Sequence, residues 1–519
     1  MLRTIIVKEL LSNLLTLRLA VALAFTVVLT VMTAFIGSAE YSRNVDRFEQ
    51  AQMDAATELQ TVKVWRQMSP MIFQAPQPLS ILCRGLSDGA GSAWEVDLNF
   101  RQVSFWPVTG ADTDLMRSLV RIDFATVVAL LLSFLAVVLG YDGVCGERER
   151  GTLQVMMTNA VPRSTIILGK LMGGLLSLWA PLALSFTIAL LILLSNPDVH
   201  FEAQDWLRLI CFFVLSVLFL AQIFAFSLTV SVSTRDSATS LVICLFFWLI
   251  AGVGWANVLP SLSRYGVDEP PFQEFHDQNQ VLWDKYNEVE QEWVEKHPPP
   301  ADIYFEGSRG EVQRYQHATA YEWLARHNGY VLPKRLETEA ERYKIWYANQ
   351  MPLAEEGFLV DAWGLVSPMV NYQVLAYQLS RTTLSDQLFE GRAAHRYRAT
   401  YYDWLQGRGT FSDRSWFTDD RVGQEPLIPD PESLSDAEKQ ADSEYMQGRR
   451  LWMAQQEEMR NANPASLDLT DMPKFAGTVK RSLGESFEQM VSGLIALLVT
   501  TALCAILLMW RFATYDPGR

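Results

Sequence analysis

Six separate apolar runs, at 19–37, 122–141, 171–194, 209–234, 238–259 and 489–510, constrain this chain more than any other feature. A helix that crosses a bilayer needs about 20 predominantly apolar residues, and Asp123, at the edge of the second run, is the only charge that the six contain. In hydrocarbon a single segment closes all its backbone hydrogen bonds only as a helix. The chain of 519 residues is 50% hydrophobic and 19% charged, against roughly 25% charged in a typical soluble protein. Its mean hydropathy is nevertheless only +0.08, so the runs must alternate with large polar regions. The expected fold class is an all-α membrane protein: six transmembrane helices, a large, mainly helical extracytoplasmic domain and a smaller α+β extracytoplasmic insertion.

Orientation follows from Lys and Arg in short flanks, which favour the cytoplasm. Arg3, Lys8 and Arg18 precede the first run, Arg148, Arg150, Arg163 and Lys170 fill the loop after the second, and Arg235 separates the fourth from the fifth. The 195–205 connection carries Asp198, Glu202 and Asp205 with no Lys or Arg. Both termini are therefore expected inside. The expected order is a cytoplasmic amphipathic lead-in helix (1–18), extracytoplasmic region 38–121, a cytoplasmic loop at 142–170, a short external loop at 195–208, a large extracytoplasmic domain at 260–488 and a cytoplasmic tail at 511–519, with the spans between. The first run is long for the core of a signal peptide and follows an amphipathic stretch, so it is expected to stay as a span.

Outside the spans, 39–67 continues with helical spacing (Val45, Phe48, Ala55, Leu59, Val62), and 94–108 alternates like a strand or hairpin. In the larger region Leu282, Tyr286, Val289 and Trp293, and again Leu336, Ala340, Tyr343 and Tyr347, form seams of helices that pack together. Ser435-Asp436-Ala437-Glu438 has the form of a capping box, and Pro298-Pro299-Pro300 and 422–434 read as breaks. Residues 261–486 hold 37 acidic and 24 basic side chains, most of the chain's net −15. This reads as a solvated helical surface. Tryptophans at helical spacing, such as Trp283, Trp293, Trp323, Trp346 and Trp404, read as core rather than a sugar-binding groove. The acidic balance argues against nucleic-acid binding, which needs cations against phosphates. The six histidines lack the close spacing of a zinc or copper site. Cys83 is the lone thiol in a polar region, so no intrachain disulfide is expected.

The stretch from Tyr141 to Lys170 carries the functional signal. It presents Gly146, Glu147, Arg148, Glu149 and Arg150, then Gly151, Thr152, Leu153 and the apolar Val155, Met156 and Met157, before Pro162 and Arg163. This reads as a short amphipathic helix between two spans, able to sit in a groove on a cytoplasmic partner. Here the chain resembles permease subunits of ABC transporters of the ABC-2 type. Tyr141-Asp142, Gly146-Glu147-Arg148-Glu149, Gly151-Thr152-Leu153, Pro162-Arg163 and Leu168-Gly169-Lys170 carry the match. Weaker echoes lie at Lys8-Glu9, Pro76-Gln77-Pro78-Leu79-Ser80, Ser233-Thr234-Arg235, Ser237-Ala238-Thr239-Ser240 and Ser367-Pro368 with Tyr372. The set is similar to the permeases of nitrous-oxide-reductase maturation and gliding-motility systems.

The resemblance implies a bacterial inner-membrane permease working in export. It implies a pair of permease subunits, identical or related, and a cytoplasmic ABC ATPase dimer that holds the ATP and Mg. The coupling element would comprise Gly146, Glu147, Arg148, Glu149, Arg150, Gly151, Thr152, Leu153, Met156, Met157, Pro162 and Arg163. An envelope partner on 260–488 is a further expectation, and membrane lipid surrounds the spans. The chain itself has no G-x-x-x-x-G-K-[S/T] phosphate loop, so no enzyme activity and no cofactor are expected in it. Secondary transport would place ionisable groups within the membrane, and an intramembrane enzyme would need a nucleophile with its base there; neither occurs in the centres of the runs. The rival reading is mechanical: ATP-driven motion works the outer domain on envelope partners and nothing crosses the membrane.

Overall fold

The computed structural model describes residues 2–85, 92–96, 104–107, 122–158, 161–263, 272–300, 305–306, 311–312, 318–417, 467–475 and 480–514. It is mostly helical. Among the described residues six helices are long and apolar enough to cross a membrane, starting at Leu17, Phe124, Arg163, Ala203, Ser237 and Leu483. Helix α1 (Leu2–Leu14) precedes α2 (Leu17–Thr61), whose first turn is capped by the Thr16 hydroxyl. The second span, α3, runs from Phe124 to Gly140 through a π segment at Val128–Leu132. Two short helices follow, α4 (Cys145–Glu149) and α5 (Thr152–Thr158). Then come α6 (Arg163–Ser195) and α7 (Ala203–Ser233). Span α8 starts at Ser237 and continues through a second π segment, Trp248–Gly254, to Ser263. The last span is α13 (Leu483–Ala513), opened by a capping box between Ser482 and Glu485.

The bundle core is mainly apolar, with Phe124, Leu132, Leu178, Leu182, Phe219 and Leu497 fully buried. Large apolar side chains also lie exposed along α2, α8 and α13, among them Phe25, Phe35, Phe246, Ile250, Ile495 and Ile506. An apolar exterior of this extent is what a hydrocarbon solvent requires and water disfavours. The second π segment is tied to the second span just beyond the first: Trp248 Nε1 donates to Ser133 Oγ at 2.9 Å, and Ser133 Oγ donates in turn to the Ala129 carbonyl.

Beyond the bundle, α9 (Phe272–Lys296) packs along α10 (Ala318–Gly364). Both seams read from the sequence lie on these helices, and α9 ends just before Pro298. Trp323 is 8% exposed and its indole N–H donates to the His297 carbonyl at 2.9 Å. After α10 come α11 (Pro368–Ser380) and α12 (Leu384–Gly407). Strands β1 (Met71–Phe73), β2 (Ser92–Glu95) and β3 (Ser104–Pro107) form one antiparallel sheet, and β4 (Phe305–Glu306) pairs with β5 (Glu311–Val312). The capping box at 435–438 and the 422–434 break lie outside the described residues.

Three features go beyond the sequence reading. First, the 38–121 and 260–488 regions meet in one core. Trp65, Met68, Ile72 and Trp94 share one core with Ala394, Tyr401, Leu405 and Phe411. Helix α2 reaches that core without a break, its 45 residues being more than twice the length a bilayer needs. Second, α11 belongs to the bundle although it lies within 260–488. Tyr372 is fully buried, stacks on Phe219 at 4.5 Å and shares a 2.8 Å hydrogen bond with Ser216, and Asn371 Nδ2 donates to the Gly493 carbonyl at 3.0 Å. Ser367 caps α11, so the chain turns back within the bundle without an unsatisfied helix end. Third, Cys83, in a polar stretch of the sequence, is completely buried against the bundle core beside Asp123 and Ser380, and all five cysteines are free.

Candidate functional site

The Tyr141–Lys170 stretch is not one amphipathic helix. It breaks at Gly151, whose φ of +73° places it in the left-handed region that favours glycine and which makes the turn between α4 and α5.

Glu147 sits at the centre of the site and is 8% exposed. Lys8 from α1 reaches its Oε1 at 3.0 Å and Lys170 from α6 its Oε2 at 2.8 Å. Lys170, 3% exposed, also binds Glu9 at 3.0 Å, and Lys8 lies 3.3 Å from Glu9. The four charges alternate in sign and sum to zero, the arrangement that lets ionised groups be buried together. On Lys8, burial acts to lower the ammonium pKa, but Glu147 and Glu9 outweigh it and leave it raised.

Small residues make this approach possible. Gly169, Gly173 and Ser177 form a stripe along α6 at helical spacing. A Cβ on Gly169 would stand 2.6 Å from Ile5, and one on Gly173 would stand 2.6 Å from the Glu9 Cβ and 3.1 Å from the Ile6 carbonyl. Asn13 Nδ2 donates to Ser177 Oγ at 3.2 Å, one further turn along. Gly173→Leu is therefore expected to displace α1 from α6. Cysteines replacing Ile6 and Met172 would report the loss as a change in disulfide crosslinking; unchanged crosslinking would show that α1 is not held by this stripe.

Serines complete the site. Ser231 Oγ of α7 accepts from the backbone N–H groups of Val144 and Cys145 at 3.0 and 3.1 Å, and Ser240 of α8 donates to the Tyr141 carbonyl at 2.7 Å. Glu149 accepts from the N–H and hydroxyl of Ser237 at 2.6 and 2.8 Å, which holds its carboxyl below the usual range. Arg18 binds Asp142 at 3.0 Å and lies over the Tyr141 ring. The 141–149 segment is thereby tied to α1, α2, α6, α7 and α8.

The remaining residues singled out in the sequence have varied surroundings. Gly146 is buried, and its carbonyl accepts from Arg150 Nε at 2.9 Å. Arg148 is half-buried. The Thr152 hydroxyl donates to the Glu147 carbonyl at 3.1 Å, across the Gly151 turn. Leu153 is 1% exposed, and Met156 and Met157 pack partly against the bundle core. Pro162 precedes α6, and Arg163 NH1 donates to the Ala513 carbonyl at 2.8 Å, tying the loop to the end of the last span. Glu147 and Leu153, expected to face a partner, are thus committed within the chain. The exposed face of α5 offers Gln154 and Val155, the latter 65% exposed.

Sequence reasoning overlooked Ser231 and the Arg18–Asp142 pair. It also overlooked a second buried polar cluster, at the far end of the bundle. There Arg208, fully buried one turn into α7, donates to the Leu379 and Arg481 carbonyls at 2.8 and 3.0 Å and to Ser486 Oγ at 3.0 Å. Arg481 pairs with Asp386 at 3.0 Å, and Arg381 lies 3.4 Å from Asp205. The signal available was Arg208 itself, a lone basic residue at the mouth of an apolar run. Among the described residues no group of three or more His, Cys, Asp or Glu is placed to hold a metal.

A family model for the ABC-2 family transporter protein matches residues 3–287. The chain is similar to the probable ABC transporter permease protein NosY of Pseudomonas aeruginosa, 32% identical over 132 residues that make up 25% of this chain and 47% of that protein. It is also similar to the probable ABC transporter permease protein NosY of Stutzerimonas stutzeri, 29% identical over 186 residues, or 34% of this chain and 67% of that one. The matched part thus spans about half the length of the first relative. The family match takes in more than half of the 519 residues and the whole of the Lys8–Glu9–Glu147–Lys170 network with its serine ties, and on that ground the chain belongs to the ABC-2 transporter family as a multi-pass membrane permease.

Proposed function

We propose that this chain is the transmembrane permease subunit of an ATP-driven exporter, and that α4 and α5 couple it to a separate cytoplasmic ABC ATPase. The observation that carries this reading is the convergence of five helices on 141–149 through ion pairs and serine hydrogen bonds. A push delivered to a solvated loop would dissipate in it. Delivered to this segment, it moves the ends of α1, α2, α6, α7 and α8 together. In this reading the α1 end of the bundle and both termini lie in the cytoplasm of a bacterial inner membrane, and a second permease subunit completes the pathway. ATP and Mg are held by the ATPase dimer, which grips the exposed Gln154–Val155 face while Glu147 transmits the load.

The test separates contact from transmission. Val155→Glu is expected to weaken co-purification of the ATPase by about tenfold or more, since a buried interface anchor is worth roughly 2 kcal/mol or above, while leaving the thermal stability of the permease unchanged. Normal association would place the ATPase elsewhere. Orientation is checked with a membrane-impermeant thiol reagent in intact cells: Glu295→Cys should label and Ser164→Cys should not, and the reverse would invert the topology.

A specific observation also favours the mechanical reading. Helix α2 begins at Leu17, with Arg18 beside the coupling segment, and leads into the core outside the bundle that Trp65 and Ile72 share with Tyr401 and Phe411, the distal domain, where Leu59 and Val62 also pack. One rigid element thus joins the two ends. Transport into liposomes by the purified permease–ATPase complex would assign export; ATP-driven change in the distal domain with no substrate flux would assign mechanical work.

A further inference from the structure

From Gly357 to Ser380, which takes in the end of α10 and all of α11, the sequence carries one charge, Asp361. Helix α8 measures how deep this stretch lies. Trp255 Nε1 donates to the Trp363 carbonyl at 3.0 Å, and a Cβ on Gly252 would stand 3.9 Å from the Met369 Cβ. At about 1.5 Å per residue, Gly252 and Trp255 lie roughly 22 and 27 Å along α8 from Ser237, where the span starts. The hydrocarbon of a bilayer is about 30 Å thick. Trp363 therefore stands near its edge, and the turn between α10 and α11 lies inside it.

The two sides of this stretch differ. Gly357, Asp361 and Gly364 share the stripe that packs on protein: a Cβ on Gly357 would stand 2.7 Å from Leu384, and one on Gly364 2.9 Å from Val370. Phe358, Ala362, Trp363 and Val366 are exposed, Val366 at 70%, and at the same level α8 exposes Ile250 and Val258. The backbone of the turn is closed on itself, the condition for irregular backbone at membrane depth. The N–H groups of Leu365, Val366 and Ser367 donate to the carbonyls of Ala362, Trp363 and Gly364 at 3.3, 3.2 and 3.0 Å. Those of Val370 and Asn371 donate to the Ser367 hydroxyl and carbonyl at 3.2 and 2.9 Å, and Pro368 has none. Gly364 and Ser367 are buried, so the turn presents chiefly the Val366 side chain to its surroundings.

We propose that this turn is a foot of the distal domain seated in the bilayer: acyl chains of the leaflet on that side cover Val366, and the headgroup layer meets Trp363 and Phe358. Indole rings settle at that level. A turn lined by water has no need of an uncharged outer face and closed N–H groups, whereas a turn lined by lipid requires both. Helix α10, with 47 residues and a length of about 70 Å, then runs from the bilayer to its pairing with α9. The distal domain is thereby held to the membrane at a second point besides α2.

A nitroxide label on Val366→Cys in the full chain, reconstituted in phosphatidylcholine nanodiscs, tests this through its collisions with oxygen, which concentrates in hydrocarbon, and with a water-soluble nickel chelate. Leu191→Cys of α6, where the wild-type side chain is 61% exposed, gives the lipid reference and Glu295→Cys the aqueous one. The wild-type chain, carried through the same labelling, gives the blank for its own cysteines. The oxygen-to-nickel accessibility ratio at Val366→Cys is expected to be several times that at Glu295→Cys and close to that at Leu191→Cys, with Trp363→Cys between the two. A ratio at Val366→Cys equal to that at Glu295→Cys would mean that water covers the turn. Shielding from both reagents would mean that protein does, a second copy of this chain included, and either result overturns the proposal. Should Val366→Cys fail to insert, Trp363→Cys decides: a ratio between the two references supports the proposal, and a ratio equal to that at Glu295→Cys, or shielding from both reagents, overturns it.

Discussion

Lys170→Met should abolish coupled ATP turnover while leaving the six spans inserted. Lys170 is almost wholly buried and is the cation shared by Glu9 and Glu147. Without it, two carboxylates face each other with only the half-exposed Lys8 to compensate. Breaking a buried pair by removing one partner costs roughly 3–5 kcal/mol, because the remaining charge stays desolvated. The expected readings are a lower thermal midpoint, loosened crosslinking between α1 and α6, and loss of ATPase stimulation by the permease. Glu147→Gln together with Lys170→Met restores charge balance and should recover part of the stability, with a coupling energy of about 1 kcal/mol or more between the two sites. Additive effects of the two substitutions would mean that the pair is not a unit. Glu149→Gln offers the contrast: Glu149 is exposed and its hydrogen bonds among the described residues go to Ser237, so its loss should be mild.

The second large effect is expected at the other end of the bundle. Arg481→Met removes the partner of Asp386, both being 5% exposed, and Asp386 is also the acid that caps α12. The cost is again roughly 3–5 kcal/mol for the stranded carboxylate. The Arg481 carbonyl, which receives Arg208 and Arg381, survives the substitution, so the defect falls on the guanidinium's own contacts, with Asp386, the Ser385 carbonyl, Gln489 and the Phe389 ring. Limited proteolysis should then cut between the bundle and the distal domain faster than in the wild type, with Asp386→Asn/Arg481→Met partly protected. Equal protection in the single variant and the wild type would show that this ion pair does not hold the domain to the spans.

Much of the architecture is legible in the residues alone. Charge-free apolar runs of bilayer length have one solution as backbone, and the seams at 282–293 and 336–347 commit those segments to paired helices. The GERE–GTL stretch likewise announces itself, because charged and apolar residues crowd a loop between two spans. These features are local: each is settled by hydrogen bonds and hydrophobic spacing within some twenty residues.

What only the tertiary structure decided is which groups meet. Glu147 reads in sequence as a surface charge for a partner, and becomes a buried anchor because Lys8 and Lys170, 139 residues before it and one helix after it, arrive on either side. Arg208 reads as a loop residue until α11, Arg481 and Ser486 close over it. Helix α11 carries no span-length apolar run, yet it enters the bundle because its short apolar face, its Ser367 cap and the Tyr372–Ser216 bond satisfy it there. The physical reason is common to all three. Desolvating a charge or a helix end costs free energy according to what surrounds it, and the surroundings are assembled from segments whose separation along the chain carries no mark of their meeting.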